Sequence, residues 1–284
     1  MTMAMNDYRL LDFGDGRKLE CVGGVILDRP SPAAAGESRA DATKWREAHL
    51  KLDDATSKQW RFLRDLPSLW TISLGNVQLL LRPTPFGHIG VFPEQQKNWE
   101  WFQSLSTTPG EVKRCLNLFA YTGASSLVLA NAGWHVTHVD ASRPTILWGR
   151  ENAILSGLAD APIRWIQEDA SRFLQREIRR GNRYDLVLLD PPAYGHGPKG
   201  ERWSIEEGMV DLLSNVFEVL VDRAVGVLWT GHSDAELVRP LVQQCESLAQ
   251  KAGLKAERLQ RATLDDTAGR HLDFGYRVRW LPKA

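Results

Sequence analysis

Cysteine is scarce in this chain: Cys21, Cys115 and Cys245 are the only three among 284 residues. They make no CxxC pair and keep no metal-binding interval to a histidine, so neither a disulfide framework nor a zinc site is indicated, and all three read as structural thiols. Long hydrophobic runs are missing as well. No apolar stretch approaches the roughly 18 residues of a membrane helix, and the opening MTMAMNDYRL has no basic region followed by an apolar core. A cytoplasmic protein is expected. Charge of one sign is also lacking: 35 Lys and Arg balance 35 Asp and Glu, so the overall field does not attract a polyanion, and any such attraction has to be local. A dense basic run, QREIRRGNR, carries Arg176, Arg179, Arg180 and Arg183 against a single glutamate. It reads either as a solvated helix end whose cations suit the dipole or as such a patch.

What is present is an ordinary globular composition, 43% apolar and 25% charged, long enough for one large domain and one small one. The first hundred residues look like short strands joined by tight turns. Asp15-Gly16 and Gly75-Asn76 each stand between two strand-like runs, and both dipeptides favour two-residue hairpins. Between them the Pro/Ala-rich stretch from Asp28 to Trp45 reads as an exposed loop. QQKNWEWF looks like one connecting helix, and Ser104 to Lys113 like a linker. The expected division is a small β-rich domain with its helix over 1–103 and a larger domain over 104–284.

From Lys113 onward strands alternate with helices: RCLNLF, HVTHVD, IRWI, YDLVLLD and VGVLW are strand-like, with helical segments between them closed by Gly133 and Gly157. The helix after VGVLW carries Pro240 near an expected kink. Such alternation implies parallel strands with helices on both faces. The final segment reads as two antiparallel strands at one edge. In such sheets ligands collect at the carboxyl ends of the strands. The first strand ends in NLFAYTGASS, Asn117 to Ser126, whose turn holds the single glycine Gly123 where a dinucleotide fold would place G-x-G-x-x-G. That favours a ligand without phosphates, seated by a glycine turn and the helix amino end after it. The second strand ends in Asp140, either an acceptor for both ribose hydroxyls or a helix N-cap shared with Ser142. Asp169 follows the third strand, placed either to accept from an adenine amino group or to cap the next helix. With Asp190 at the end of the fourth strand these are three acids at successive strand tips, and a pocket with ribose and adenine sites but no phosphate loop suits S-adenosylmethionine.

With NLFAYTG, VDAS, EDA and DPPAY in this order, the chain resembles the class I S-adenosylmethionine-dependent methyltransferases, and within them the large-subunit ribosomal RNA methyltransferase group. The resemblance runs from about Phe86 to Trp280 and includes HIGVFPEQ, His88 to Gln95. It implies an α/β, Rossmann-like seven-stranded sheet in the order 3-2-1-4-5-7-6, with a small N-terminal β-domain able to help hold RNA. It also implies that Phe119, Ala120, Tyr121 and Gly123 line the methionine side, Asp140 with Ala141 the ribose, and Asp169 with Ala170 the adenine. Asp190 then stands at the mouth next to the methyl. Phe92, Glu94 and Gln95 either close over the cofactor or form a loop seating the small domain.

The fourth strand runs into Asp190, Pro191, Pro192 and Tyr194. In methyltransferases with a D/N-P-P-aromatic motif the acid and the following carbonyl accept from an amino group, the prolines hold that carbonyl outward and the aromatic stacks on the base. Here the aromatic comes one residue late, DPPAY rather than DPPY. Attack on cytosine carbon 5 needs a cysteine thiolate, and none stands near Asp190 or after the fifth strand. The acceptor is therefore expected to be a nitrogen, less readily an oxygen, of an RNA base. His232 is either a proton carrier or a polar loop residue, and Trp203 with the basic loop GHGPKGERW either meets a flipped base or forms a lid. Competing expectations are a methyltransferase for a small molecule or protein, a nicotinamide-dependent oxidoreductase, and a non-catalytic RNA-binding module. No metal is expected, and no feature of the sequence sets an oligomeric state.

Overall fold

The computed structural model describes residues 7–53, 59–105, 111–196 and 202–283. Its compact units are not consecutive in sequence. The first holds the described residues up to Trp101 together with Glu151–Gly157 and Thr263–Phe274, and the second holds the rest.

In the first unit, β1 (Tyr8–Gly14), β2 (Arg17–Val22), β3 (Val25–Pro30), β4 (Leu50–Leu52) and β5 (Trp60–Phe62) form one sheet in that order. Asp15 and Gly16, both at positive φ (54° and 70°), turn β1 into β2, as the two-residue hairpin signal requires. A second hairpin joins β6 (Thr71–Leu74) to β7 (Val77–Leu80) through Gly75, φ 59°. Of the stretch expected as an exposed loop, Asp28 to Trp45, residues 28–30 are strand and Trp45 is buried, while most of 32–43 is exposed as expected yet pinned at Ala40 and Asp41. The fully buried Asp12 carboxylate accepts from the backbone N–H of Ala40 (3.0 Å) and Asp41 (3.1 Å) and from Trp45 Nε1 (2.8 Å). Burial opposes ionisation there, but these donors together with Phe13 N–H hold the carboxyl below its usual range. Arg270, far along the chain, reaches the same Asp12 and also Asp266. This explains why Thr263–Phe274 belongs to this unit.

A second polar group is buried in β2 and β3. Glu20, fully buried, accepts from Arg29 Nε at 2.6 Å and lies 3.1 Å from Lys18 Nζ. Desolvation raises its pKa, yet Arg29 and Lys18 outweigh that and hold it down.

In the second unit a mostly parallel sheet is assembled from β8 (Arg114–Leu118), β9 (His135–Asp140), β10 (Ile163–Gln167), β11 (Leu186–Leu189), β14 (Gly226–Gly231), β15 (Leu254–Ala256) and β17 (His271–Pro282). The spatial order is β10-β9-β8-β11-β14-β17-β15, with β16 (Gln260–Asp265) also on β17. Counted along this sheet, that is 3-2-1-4-5-7-6. The parallel run ends at β14, and β17 is antiparallel to it. The reading of two strands at one edge needs correction, because β17 lies between β14 and β15. Its alternation explains the place: Tyr276, Val278 and Trp280 are buried, and Trp280 stacks on Trp229 of β14 at 6.3 Å. β15 is only three residues long, too short to announce itself by pattern.

The helices follow α1 (Gln96–Ser104): α2 (Ala124–Asn131), α3 (Arg143–Leu155), α4 (Ala170–Arg180), α5 (Ile205–Glu218), α6 (Ala235–Gln244) and α7 (Glu246–Lys251). α6 contains Pro240, and the expected single helix divides at Cys245. A small hairpin, β12 (Tyr194–His196) with β13 (Arg202–Ser204), precedes α5. Among the described residues no helix is long and apolar enough to cross a membrane.

Removing one partner from a buried ion cluster leaves uncompensated charge. Glu20→Ala is therefore expected to lose about 3 to 5 kcal/mol of unfolding free energy by strand-interior burial of unpaired Lys18 and Arg29. Urea denaturation against wild type checks this; a loss below about 1 kcal/mol, the range of an exposed ion pair, would show that the cluster is hydrated.

Candidate active site at the strand ends

The register aligns the carboxyl ends of the parallel strands: Leu118 pairs with Val139 and with Leu189, Asp140 pairs with Gln167, and Leu189 pairs with Trp229. The residues that follow these positions are the ones singled out from the sequence. After β8 the chain enters a strained turn. Phe119 and Tyr121 take left-handed φ of 55° and 50°, and Gly123 takes 88°. For a bulky side chain that conformation costs on the order of 1 to 3 kcal/mol and persists only where its surroundings hold it.

Those surroundings are specific. Ala120 N–H donates to the Val139 carbonyl (3.1 Å), Tyr121 N–H donates to Asp140 Oδ2 (2.8 Å), and Gly123 N–H donates to the Ala120 carbonyl (3.1 Å). Asp140 Oδ1 meanwhile accepts from Ser142 N–H (2.8 Å) and Thr145 Oγ1 (3.0 Å), so one carboxylate joins the β8 turn to the start of α3. Three of its roughly four acceptor positions are taken. One remains, beside the exposed Ala141.

Beneath the turn lies a buried polar chain. Asn117 Nδ2 donates to Ser126 Oγ (2.9 Å), which sits 3.0 Å from His138 Nδ1. The His138 ring lies 4.5 Å from that of Trp165. Gly149 makes room for this tryptophan, because a Cβ there would fall 2.6 Å from its ring. Burial lowers the His138 pKa to about 3.

Asp169 is the N-cap of α4, its Oδ1 accepting from Arg172 N–H at 2.9 Å. Its other oxygen makes no hydrogen bond among the described residues, and Ala170 behind it is buried. At the fourth tip Asp190 is half-buried, Pro191 buried and Pro192 exposed. Trp203 reaches back from β13 and donates its Nε1–H to the Pro192 carbonyl at 2.9 Å. Its ring lies 6.2 Å from Phe119, and Gly208 accommodates it, since a Cβ there would come within 2.3 Å of the ring. The tryptophan considered for a flipped base is thus fastened to the proline turn. Tyr194, by contrast, is 75% exposed. The basic loop beside it falls outside the described residues at 197–201.

One contributor was missed in the sequence. Tyr276 of β17 pairs with Gly231, and a Cβ on Gly231 would lie 2.6 Å from the tyrosine hydroxyl. Gly275, at φ 128°, is equally confined, since a Cβ there would strike the Gly231 carbonyl. Burial, then the charge of Asp190, raises the phenol pKa, which places this hydroxyl in the electrostatic field of the fourth strand tip. Gly231 at the end of β14 and Gly275 within β17 were the available signal. His232 follows Gly231 and is exposed.

In the first unit, Gln95 accepts from Asn98 (2.6 Å), Phe92 packs edge-on to His88 at 5.2 Å, and Glu94 acts on Tyr8 and Lys18. All three cysteines are buried. Cys115 pairs with Leu186 at the amino end of β8, about 10 Å before the strand tip at 3.3 Å per residue, and burial pushes its thiol well up. Among the described residues no cluster of His, Cys, Asp and Glu could hold a metal ion.

Carboxylates at successive strand tips and a one-glycine turn suit a ligand without a pyrophosphate, and the second Asp169 oxygen is the kind of acceptor an adenine amino group needs. This is the class of fold and site used by methyltransferases that take S-adenosylmethionine. Residues 57–234, well over half of the chain, match the family described as S-adenosylmethionine-dependent methyltransferase. The chain belongs to that family, and its cofactor is S-adenosylmethionine. A solved S-adenosylmethionine-dependent methyltransferase from Agrobacterium tumefaciens is 38% identical, with a TM-score of 0.91 over 99% of this chain and 92% of that one. A Streptococcus mutans structure described as a methyltransferase of the same kind has a TM-score of 0.75 over 99% of this chain and 76% of that one, at 15% identity, a likeness of fold alone. Among curated proteins, Ribosomal RNA large subunit methyltransferase K/L of Pseudomonas syringae pv. syringae is 31% identical over 66% of this chain. The match spans 22% of that relative's length, and 15% for the protein of the same name from Shewanella frigidimarina, 33% identical over 38% of this chain.

The low His138 pKa carries a pH dependence. Between pH 6.5 and about 3 the unfolded chain binds a proton that the folded one refuses, so stability falls as pH falls through this window. From pH 7 to pH 5 this histidine should remove about 2 kcal/mol. Denaturation of wild type and His138→Asn at both pH values tests it, with the smaller drop expected in the variant; equal drops would absolve His138.

Proposed function

We propose that this methyltransferase acts on a base nitrogen in RNA, ribosomal RNA in particular, in the cytoplasm. The observation that carries this reading is the Asp190-Pro191-Pro192 turn. The Pro192 carbonyl accepts from Trp203, and the Asp190 carboxylate and the Pro191 carbonyl would receive the acceptor amino group. Tyr194, exposed at the hairpin beside it, offers a face for a planar base. The absence of cysteine at the strand tips among the described residues argues against a covalent adduct at carbon 5. The names of the curated relatives point to ribosomal RNA.

S-adenosylmethionine supplies an electrophilic methyl on a sulfonium. The chain's part is alignment and the handling of one proton. Phe119, Ala120, Tyr121 and Gly123 would line the methionine end, with Asp140 and Ala141 at the ribose. Asp140 has one acceptor position left, so it would take one ribose hydroxyl rather than both. The second oxygen of Asp169 would accept from the adenine amino group, with Ala170 behind it. Asp190 would orient the acceptor amine, keeping its lone pair in line with the methyl, and take up positive charge as it forms. The domain boundary near 103 remains our proposal for where the cofactor-binding part begins.

Labelled-methyl transfer to RNA, protein and metabolite fractions, followed by nucleoside mass spectrometry, is expected to put label on a base nitrogen of RNA. Label in protein or metabolites alone would overturn the reading. Asp190→Ala should lower incorporation by about 100-fold or more, the usual scale of a proton-handling group, while S-adenosylhomocysteine still raises the melting temperature and NAD does not. Trp203→Phe removes the donor to Pro192 and should reduce kcat by about 10-fold, the effect of one misplaced orienting group, with KM for the cofactor unchanged. A change confined to KM would place Trp203 in cofactor binding instead.

A further inference from the structure

A cleft of about 620 Å³ opens on the second unit between α6 and the segment leading into β16. Arg239, Val242 and Gln243 line it from α6, positions i, i+3 and i+4 that share one helix face. Arg258, Leu259, Gln260 and Arg261 line it from the other side. Its floor is aliphatic, from the half-buried Val242 and Leu259, and its rim is three exposed guanidiniums and two exposed amides. None of the lining residues is acidic. Glu236 pairs with Arg239 at 2.5 Å, whereas Arg258 makes no ion pair among the described residues.

The register relates this cleft to the strand tips. Arg277 of β17 stands opposite Thr230, the residue after Trp229, and Trp229 pairs with Leu189, the residue before Asp190. Arg277 Nε donates to Gln260 of the cleft at 2.8 Å. Asp190, Thr230 and Arg277 are thus level across three adjacent strands, Asp190 and Arg277 lying two strand spacings or about 10 Å apart. In the basic run singled out from the sequence, two of the four arginines have acidic partners. Arg176 lies 2.9 Å from Glu168 and Arg180 lies 3.5 Å from Glu177.

We infer that the Arg239–Arg258–Arg261 cleft binds the phosphodiester backbone of a single-stranded segment of the substrate RNA flanking the methylated base. The inference rests on the proposal that the substrate is RNA. A chain of zero net charge gains little long-range attraction for a polyanion, so holding RNA requires a local group of cations such as this one. The guanidinium fork suits phosphate oxygens, and the aliphatic floor between the arginines suits the face of a base, as in grooves that bind single strands without reading sequence.

The test compares wild type with Arg258→Gln and with the triple variant Arg239→Gln/Arg258→Gln/Arg261→Gln. Fluorescence anisotropy with a mixed-sequence single-stranded RNA is measured over a range of salt, alongside labelled-methyl transfer. The triple variant should bind at least about 10-fold more weakly at low salt, and its log K against log salt should flatten by about 0.7 for each phosphate that is no longer neutralised. Arg258→Gln should fall between the two. Stabilisation by S-adenosylhomocysteine should be the same in all three, which excludes misfolding as the cause. Unchanged RNA affinity and salt slope in the triple variant, with methylation of RNA by the wild type intact, would overturn the cleft and leave the RNA reading standing. Arginine-dependent, salt-sensitive RNA binding without methyl transfer to RNA would overturn the methylation reading and, with it, the cleft's role in holding substrate beside the methylated base. Wild-type protein that binds no RNA at low salt would overturn both.

Discussion

The hydrogen bond from Tyr121 N–H to the Asp140 carboxylate is the interaction on which the site depends. The chain leaves β8 in a conformation that Phe119 and Tyr121 disfavour, which the local bond from Gly123 N–H to the Ala120 carbonyl does not by itself offset. The reward comes from the neighbouring strand, through the Val139 carbonyl and Asp140. The same carboxylate fixes the first turn of α3 through Ser142 and Thr145. The turn is therefore correct only when β8 and β9 are paired in register, so the pocket is a product of the sheet rather than of the motif alone. Below it, the Asn117, Ser126 and His138 chain lets a polar residue stand at full burial without charge, and Gly149 keeps the space that Trp165 occupies.

On the other side of β8 the fourth and fifth tips use a different device. The Pro192 carbonyl is held by an indole from β13, and the end of β14 is pressed against β17 by two glycines that no side chain could replace. Both arrangements bring a distant part of the chain to Asp190. A strand tip followed by two prolines has few backbone freedoms left, and the indole removes one of the remaining ones. Stiffness at this point suits a reaction governed by alignment.

Much of this was legible in the sequence. The hairpins at Asp15-Gly16 and Gly75-Asn76, the alternation of strands and helices, and the acids at strand ends all follow from local pattern, because turn chemistry and periodicity are local properties. What escaped was non-local. The 28–45 stretch reads as loop by composition, yet Asp12 and, through it, Arg270 tie it down, and no window of sequence contains all three. The interior place of β17, implied by the family resemblance but not by local pattern, depends on Tyr276 and Trp280 meeting Trp229, rings separated by some fifty residues of chain. Gly231 and Gly275 were visible as glycines, but their purpose is each other.

The acids at the second and third tips show why the two readings offered for each were not true alternatives. A helix cap requires one carboxylate oxygen facing an N–H of the first turn, and a carboxylate has two oxygens. Asp169 caps α4 with Oδ1, which fixes the side-chain torsion and so the direction of Oδ2. Asp140 carries the idea further, with both oxygens engaged and one acceptor position left. An acid that is only a ligand must be ordered when the ligand arrives, at a cost in side-chain entropy. An acid that already holds a helix end or a strained turn has met that cost during folding. Under the cofactor contacts proposed for Asp140 and Asp169, capping and binding would be one arrangement, and a strand-tip acid followed by a helix start is where both demands coincide.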